Sequence, residues 1–309
     1  MKEILYDENT KMIKGYPEIK KLGICSPYGE ETPFVWNGRL YRLELIDPSF
    51  GLKKGIAKAG IRDVETGKII STFAEDSYFH SAFVEDDKVY VTGVSMQGMD
   101  TIRIYESADL INWTGRDLLT NPGWAYCNSQ ITKGPDGYVI ILEAGLPKEC
   151  VGTEYTHFFA TSPDMKNWTH LDPERYSLTK ERYNGGPWIR YSDGYYYAIA
   201  VELLPGKRFS NILSRSKDLE TWEVGKYNPL LMPSNEDKLY SPHICDFTEE
   251  RLEQIKTAYN INNSDIDMCD WQGNVYINYL CGNQLGNYWM CEAIVENTTV
   301  ADFLKDFFE

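Results

Sequence analysis

Ser107-Ala-Asp-Leu-Ile-Asn-Trp113, Ser162-Pro-Asp-Met-Lys-Asn-Trp168 and Ser216-Lys-Asp-Leu-Glu-Thr-Trp222 share one pattern, Ser-x-Asp-(Leu/Met)-x-x-Trp, and start 55 and 54 residues apart. Self-similarity at a period near 50 marks a chain built from copies of one supersecondary unit. The pattern itself reads as scaffold. Ser and Asp side chains bond the backbone of a turn, and Trp offers a large apolar plate to a neighbouring unit. The three stretches are a ruler along the chain, and chemistry has to be sought in what else recurs at that period.

Working outward, each unit opens on a hairpin. In Glu31-Thr-Pro-Phe-Val-Trp-Asn37-Gly38-Arg-Leu-Tyr-Arg-Leu-Glu44 two apolar runs flank Asn-Gly, the strongest short-range hairpin signal. His80–Thr92, Asn128–Glu143, Gly186–Glu202 and Asn263–Tyr279 repeat the strand–turn–strand arrangement. With Gly38, Asp87, Gly137, Gly194 and Gly273 as turn markers, the steps are 49, 50, 57 and 79 residues, the last lengthened by an insertion from Met232 to about Ile261. There Asp246-Phe-Thr-Glu249 offers a capping box, and Phe247, Leu252, Ile255 and Tyr259 fall near one helical face, so one helix is predicted. A second amphipathic helix is predicted over Val300–Phe307. Residues 1–30 read as irregular apart from a short strand near Ile19–Ile24. Four-stranded units repeated radially are propeller blades. The expected fold is all-β: a single five-bladed β-propeller domain over residues 1–309 with four-stranded blades, a helical insertion before blade five and a short C-terminal helix.

Composition narrows the function. The net charge of −15 repels phosphate backbones and anionic lipid, which argues against nucleic acid and membrane as partners. No apolar run approaches the length of a membrane span. The N-terminal Met1-Lys-Glu-Ile-Leu-Tyr-Asp-Glu lacks the apolar region of a signal peptide. The seven scattered cysteines contain no Cys-x-x-Cys, so neither a disulfide framework nor a zinc site is expected, and a cytoplasmic protein with reduced thiols is the simplest reading.

In a propeller the entries of the inner strands and the ends of the second strands meet at one mouth. The entries carry Glu31, His80, Asn128, Gly186 and Asp265, and the second strands end on Glu44, Thr92, Glu143, Glu202 and Tyr279. Glu44 and Glu143 each lie six residues beyond their marker glycine and Glu202 lies eight, the same parity and so the same predicted face. Carboxylates gathered in one cleft repel one another, so some hold a proton while others ionise, the condition for a general acid and a general base side by side. Glycosidic cleavage needs such a pair. The alternative is that these glutamates pair with Arg or Lys as bridges between blades. Alternation places Asn263, Asp265 and Asp267 on one face of the fifth inner strand, where they could grip sugar hydroxyls, supply the base, or hold a structural cation in the channel. His80, Trp188, Arg190, and His243 lying over the mouth from the insertion complete the candidate binding residues. No cofactor is expected.

The three Ser-x-Asp-x-x-x-Trp motifs and inner hairpins such as Gly186-Pro-Trp-Ile-Arg-Tyr-Ser-Asp-Gly-Tyr-Tyr-Tyr resemble those of the five-bladed propeller glycoside hydrolases, the clan of arabinanases, xylosidases and fructan-cleaving enzymes. The resemblance covers residues from about 30 to 296. It implies an oligosaccharide substrate, a furanoside or a xyloside. In family 43 an Asp-Pro in blade one supplies the base, an Asp in blade two tunes the site, and a Glu-Gly-Pro in blade four supplies the acid. This chain has Glu31-Thr-Pro33, His80-Ser81 and Gly185-Gly186-Pro187 instead, which marks an outlying branch. The expected base is therefore Glu31 or Asp265, and the expected acid Glu143 or Glu202. A glycoside phosphorylase and a non-catalytic carbohydrate-binding propeller are the alternatives; the former needs a phosphate-binding cluster of Arg, Lys or His, and no dense one is visible.

Overall fold

Five turn signals, each between two apolar runs, become five antiparallel blades, the fourth and fifth joined by a single parallel pairing of Phe209 with Asn262. The computed structural model describes Asp7 and residues 13–46 and 57–309, with Glu31 described by its backbone alone. In chain order, β1 (Lys20–Ser26) precedes the first sheet, formed by β2 (Gly29–Trp36), β3 (Arg39–Ile46), β4 (Lys58–Asp63) and β5 (Lys68–Phe73). The second comprises β6 (Ser77–Glu85), β7 (Lys88–Ser95), β8 (Thr101–Ser107) and β9 (Thr114–Thr120). The third is β10 (Ala125–Gly134), β11 (Gly137–Leu146), β12 (Thr156–Ser162) and β13 (Thr169–His170), interrupted by the one-turn helix α1 (Lys148–Val151). The fourth is β14 (Gly185–Ser192), β15 (Tyr195–Leu204), β16 (Arg208–Ser216) and β17 (Trp222–Val224). The fifth is β18 (Asn262–Trp271), β19 (Asn274–Gly282) and β20 (Tyr288–Val295), completed by β1, which pairs antiparallel with β20. Each inner strand touches the next, β2 to β6, β10, β14, β18 and back to β2, so the sheets are the blades of a closed five-bladed propeller.

The turns explain the hairpins. Asn37-Gly38, Asp193-Gly194 and Gln272-Gly273 each adopt two successive left-handed residues, the geometry whose twist matches antiparallel strands. Successive residues of the second strands then feed opposite wedges of core. Tyr41 and Leu43 pack with Val89 and Val91 between blades one and two, while Leu40 packs with Cys269 and Tyr276 between blades one and five. Ile140 and Leu142 face blade two, and Val139 and Ile141 face blade four.

The Ser-x-Asp-x-x-x-Trp motifs turn the chain from third to fourth strand. Asp109 Oδ1 accepts from the amides of Ile111 and Asn112 at 2.9 and 2.7 Å, and Asp164 and Asp218 repeat the arrangement. These donors hold all three carboxyls below the usual range, the Asn112 amide foremost at Asp109. The residue after each Asp (Leu110, Met165, Leu219) takes a left-handed φ of 62°, 57° or 64° and is buried, a strain offset by that burial. Trp113 then stacks on Phe73 of blade one at 3.8 Å between ring centroids, and Trp222 on Phe159 of blade three at 5.7 Å. The motif is a clamp between blades.

The insertion holds a 3-10 turn (Asn235–Lys238) and a helix, α2 (Glu249–Thr257). The predicted cap is displaced: Thr248 caps α2 by accepting from the Arg251 amide, while Asp246 lies outside the helix with a left-handed φ of 58°. Ile255 is buried and Phe247 and Leu252 pack beside it, but Tyr259 is exposed against Arg208. A last helix, α3 (Val300–Asp306), buries Val300, Phe303 and Leu304. No helix among the described residues is long and apolar enough to cross a membrane.

Candidate active site

Every inner strand bulges where it enters the ring. Two of its residues face one on the second strand: Glu30-Glu31 face Glu44, Phe79-His80 face Gly93, Cys127-Asn128 face Glu143, Gly186-Pro187 face Ala200, and Asp265-Ile266 face Tyr279. In four blades the first bulge residue is left-handed: Glu30, Phe79, Gly186 and Asp265, with φ of 49°, 57°, 51° and 48°. Such a conformation costs a non-glycine residue about 1–3 kcal/mol and recurs where a side chain must be aimed. Here it aims Glu30 and Asp265 inward.

Glu30, Thr32, His80, Ser81, Asn128 and Asp265 are among the residues around a pocket of about 40 Å³ at this end of the channel. Glu143 adjoins it, with Oε2 accepting from Asn128 Nδ2 at 2.9 Å and from the Gly186 amide at 3.1 Å. Burial, then the charges of Asp265 and Glu143, pushes the Glu30 carboxyl well above the usual range. Burial raises Glu143 to about 7, with the Asp265 charge adding to it against the two hydrogen bonds. Burial also raises Asp265, and the Ser264 hydroxyl, 2.5 Å away, opposes it. Three carboxyls from blades one, three and five thus compete for protons. Beside them stand Tyr155 and Tyr183, edge to face at 6.0 Å, and the buried Cys127. Burial and then Glu143 and Asp265 raise the Tyr183 phenol, and burial pushes the Cys127 thiol up.

A larger space of about 420 Å³ continues down the channel past Phe34, Phe83, Arg190 and Asp270. Of its charged groups, Lys133 pairs with Glu85, Asp270 accepts from the Val300 amide, and Arg190 Nη2 lies 3.5 Å from the Met268 carbonyl. Between the two spaces Asp267 accepts from Trp188 Nε1 at 2.7 Å, Gln130 Nε2 at 2.8 Å and its neighbour's amide. Burial raises it to about 7 against those donors. Among the described residues no three His, Cys, Asp or Glu side chains gather to hold a metal ion.

Of the residues singled out in the sequence, His80, Asn128, Glu143, Asp265 and Asp267 come together here. The side chain of Glu31 lies outside the described residues, and its neighbour Glu30 occupies the pocket. Several others lie elsewhere. Glu44 faces blade five, fully buried, where Arg62 Nε and Nη2 reach its two oxygens at 2.7 and 2.8 Å and Arg42 Nε bonds it at 2.9 Å. Both arginines belong to blade one, so Glu44 is a buried structural ion pair within its own blade rather than a bridge between blades or a site residue, and it is Arg42 Nη1 that reaches across to Glu292 of blade five at 3.8 Å. Glu202 faces the opposite way from Glu143 and pairs with the exposed Arg182 at 3.3 Å. The common face failed for a definite reason. In blade three the turn is Pro135-Asp136, since Gly134 pairs with Gly137, so the marker glycine is already a strand residue and the count shifts by one.

Asn263 does not share the face of Asp265 and Asp267, because the bulge after Ser264 resets the alternation. Its amide instead turns to Asp237, which Lys21, Tyr279 and Asn260 also hold, anchoring the insertion. His243 does not cover the mouth: it bonds Glu292 of β20 at 2.8 Å and lines a space beside the turn residues Gly38 and Gln272, at the other end of the blades. Trp188 is only 1% exposed and offers no face to a sugar, and Arg190 lies deeper in the channel with its guanidinium near the Trp188 ring. Glu30, Tyr155 and Tyr183 were missed. A signal for Glu30 existed: it stands seven residues before the first turn residue of its hairpin, as Phe79, Gly186 and Asp265 do, whereas Glu31 stands six before.

A closed ring of four-stranded blades with buried carboxyls at one mouth defines the propeller class. Solved structures of similar fold include a glycoside hydrolase (TM-score 0.62, 13% identity, covering 92% of this chain and 93% of that one). A family 43 protein of Bacillus licheniformis gives a TM-score of 0.58 at 14% identity, covering 92% of this chain and 58% of that one. The Bombyx mori family 32 β-fructofuranosidase gives 0.52 at 13% identity, covering 90% and 62%. At these identities the likeness is one of fold. No family model and no curated protein sequence matches the chain.

Proposed function

We propose that the protein is a glycoside hydrolase whose acid and base are Glu143 and Asp265. The observation that carries this is the shared enclosure of Glu30, Glu143 and Asp265, which separates their proton affinities. Asp265, stabilised by the Ser264 hydroxyl, ionises first and serves as base or nucleophile. Glu143, poised at about 7, is matched to giving up a proton to a leaving oxygen and recovering it. Glu30, whose affinity is raised by burial and then by both other charges, keeps its proton and donates. The small pocket takes the reacting edge of a sugar, with Tyr155 and Tyr183 as apolar walls beside it. A furanoside or xyloside end of an oligosaccharide suits the fold's company, which includes a xylan β-1,4-xylosidase and a β-fructofuranosidase. We take residues 1–309 as one domain. We place the protein in the cytoplasm, supported by seven cysteines in the reduced, thiol form, with Cys281 and Cys291 3.5 Å apart and not joined in a disulfide.

The test is turnover of aryl arabinofuranosides, xylosides and fructo-oligosaccharides, with and without inorganic phosphate. Hydrolysis that Asp265→Asn and Glu143→Gln each reduce by about a hundredfold or more supports the assignment. Phosphate-dependent release would make it a phosphorylase. Sugar binding by calorimetry without any turnover would make it a binding propeller.

A further inference from the structure

Among the described residues two buried polar atoms at the pocket have no partner: Nδ1 of His80 and Oε2 of Glu30. His80 is 4% exposed, and both residues line the pocket. An unpaired buried polar atom is costly, so two at one small cleft ask for a common ligand.

The hydrogen bonds behind His80 decide what it offers. Tyr105 Oη lies 2.6 Å from Asp76 Oδ1, a carboxylate that can only accept, so the phenol proton goes there. Arg103 Nε donates to the same phenol oxygen at 3.2 Å. Ser77 Oγ lies 2.8 Å from Tyr105 Oη, and with the phenol proton spent the serine must donate. Ser77 Oγ also lies 2.9 Å from His80 Nε2, and with its own proton spent it must accept. His80 therefore carries its proton on Nε2. Burial lowers its pKa to about 4, so the ring is neutral and Nδ1 is a bare acceptor. The Nε2–Cδ2 edge packs against Gly93, leaving the Nδ1 edge for the pocket.

Glu30 has the complementary polarity, a carboxyl that keeps its proton and can donate. A hydroxyl group donates one hydrogen bond and accepts others, and it fits a pocket of about 40 Å³. We infer that the pocket binds one sugar hydroxyl between His80 Nδ1, as acceptor, and the Glu30 carboxyl, as donor. Asp76, Tyr105 and Ser77 are positioning residues that fix the histidine tautomer. This deepens the glycosidase proposal and rests on it for the ligand class, but its first readout does not depend on turnover.

Nitrogen NMR of histidine-labelled protein at neutral pH, assigned with His80→Gln, reads the tautomer directly. The expected result is protonated Nε2 and bare Nδ1, shifting toward a mixture in Tyr105→Phe, where the serine proton is released. Titration with D-xylose, L-arabinose and D-fructose should displace the Nδ1 resonance for at least one sugar. In turnover assays His80→Gln, which keeps an acceptor, should retain more affinity than His80→Leu, seen as the smaller rise in KM. A proton on Nδ1, or an Nδ1 signal that none of the three sugars moves, overturns the inference. Absence of turnover with a sugar-responsive Nδ1 refutes the glycosidase alone.

Discussion

Replacing Glu143 by Gln separates what the buried charge costs from what it does. Raising the carboxyl from 4.5 to about 7 means that the fold resists its ionisation by about 3 kcal/mol. The sign follows from proton counting. Between those values the native state holds a proton that the unfolded chain has released, so stability falls as pH rises through the window and levels off above it. Between pH 5 and pH 8 the wild type should lose about 2–3 kcal/mol through this residue. Gln cannot ionise and should lose none of it. The amide also disturbs the bonds from Asn128 and Gly186, a cost of about 1–2 kcal/mol that does not vary with pH. Urea unfolding at both pH values cancels that constant, so the variant should gain about 2–3 kcal/mol on the wild type from pH 5 to pH 8. A gap between the two proteins that is the same at both pH values would refute the claim that Glu143 is held protonated by its surroundings.

Glu202→Gln should leave turnover within about twofold, since surface pairs such as Glu202–Arg182 contribute about 0–1 kcal/mol and Glu202 is not among the residues lining the pocket; a large loss in kcat would reinstate Glu202 as the acid. Glu30→Gln keeps a donor and should cost less than tenfold in kcat/KM, whereas Glu30→Ala should cost several times more, and equal losses would argue for an ionised Glu30. Glu44→Gln should destabilise the fold by about 3–5 kcal/mol in denaturant melts because Arg42 and Arg62 lose their shared buried charge. Gly186→Ala should abolish turnover and retain sheet content by circular dichroism: its Cβ would lie 2.6 Å from Asp265 Oδ1, on a residue with φ of 51°.

The blades were legible because hairpins advertise themselves. Asn37-Gly38 and Asp193-Gly194 are turn residues whose chemistry requires the left-handed backbone they adopt. The mouth was half legible. Asp265 and Glu143 stood at recognisable places, but alternation cannot see a bulge, and each bulge exchanges the faces of the residues beyond it. That exchange hid Glu30 behind Glu31 and grouped Asn263 with Asp265. Blade three misled for a related reason, its turn lying one residue before the glycine taken as marker. Tyr155 and Tyr183 could not be found by position, because they reach the site from outside the inner hairpins. The strand near Ile19–Ile24 was visible, but its partner, more than 250 residues away, was not.

That partnership also bears on how the molecule is made. Synthesis proceeds from the N-terminus, so Lys20–Ser26 leaves the ribosome long before Tyr288–Val295 exists to receive it. Until then the growing chain carries Lys20–Ser26 as an unmatched strand ahead of an incomplete ring, with Ile24 and Cys25, both buried in the finished fold, open to water. Four blades can form by local pairing as they emerge, while the fifth must wait for the two ends of the ring to meet. The clasp is therefore the slow, long-range event of folding, and the interval before it closes is when the nascent chain is most exposed to mispairing with its neighbours.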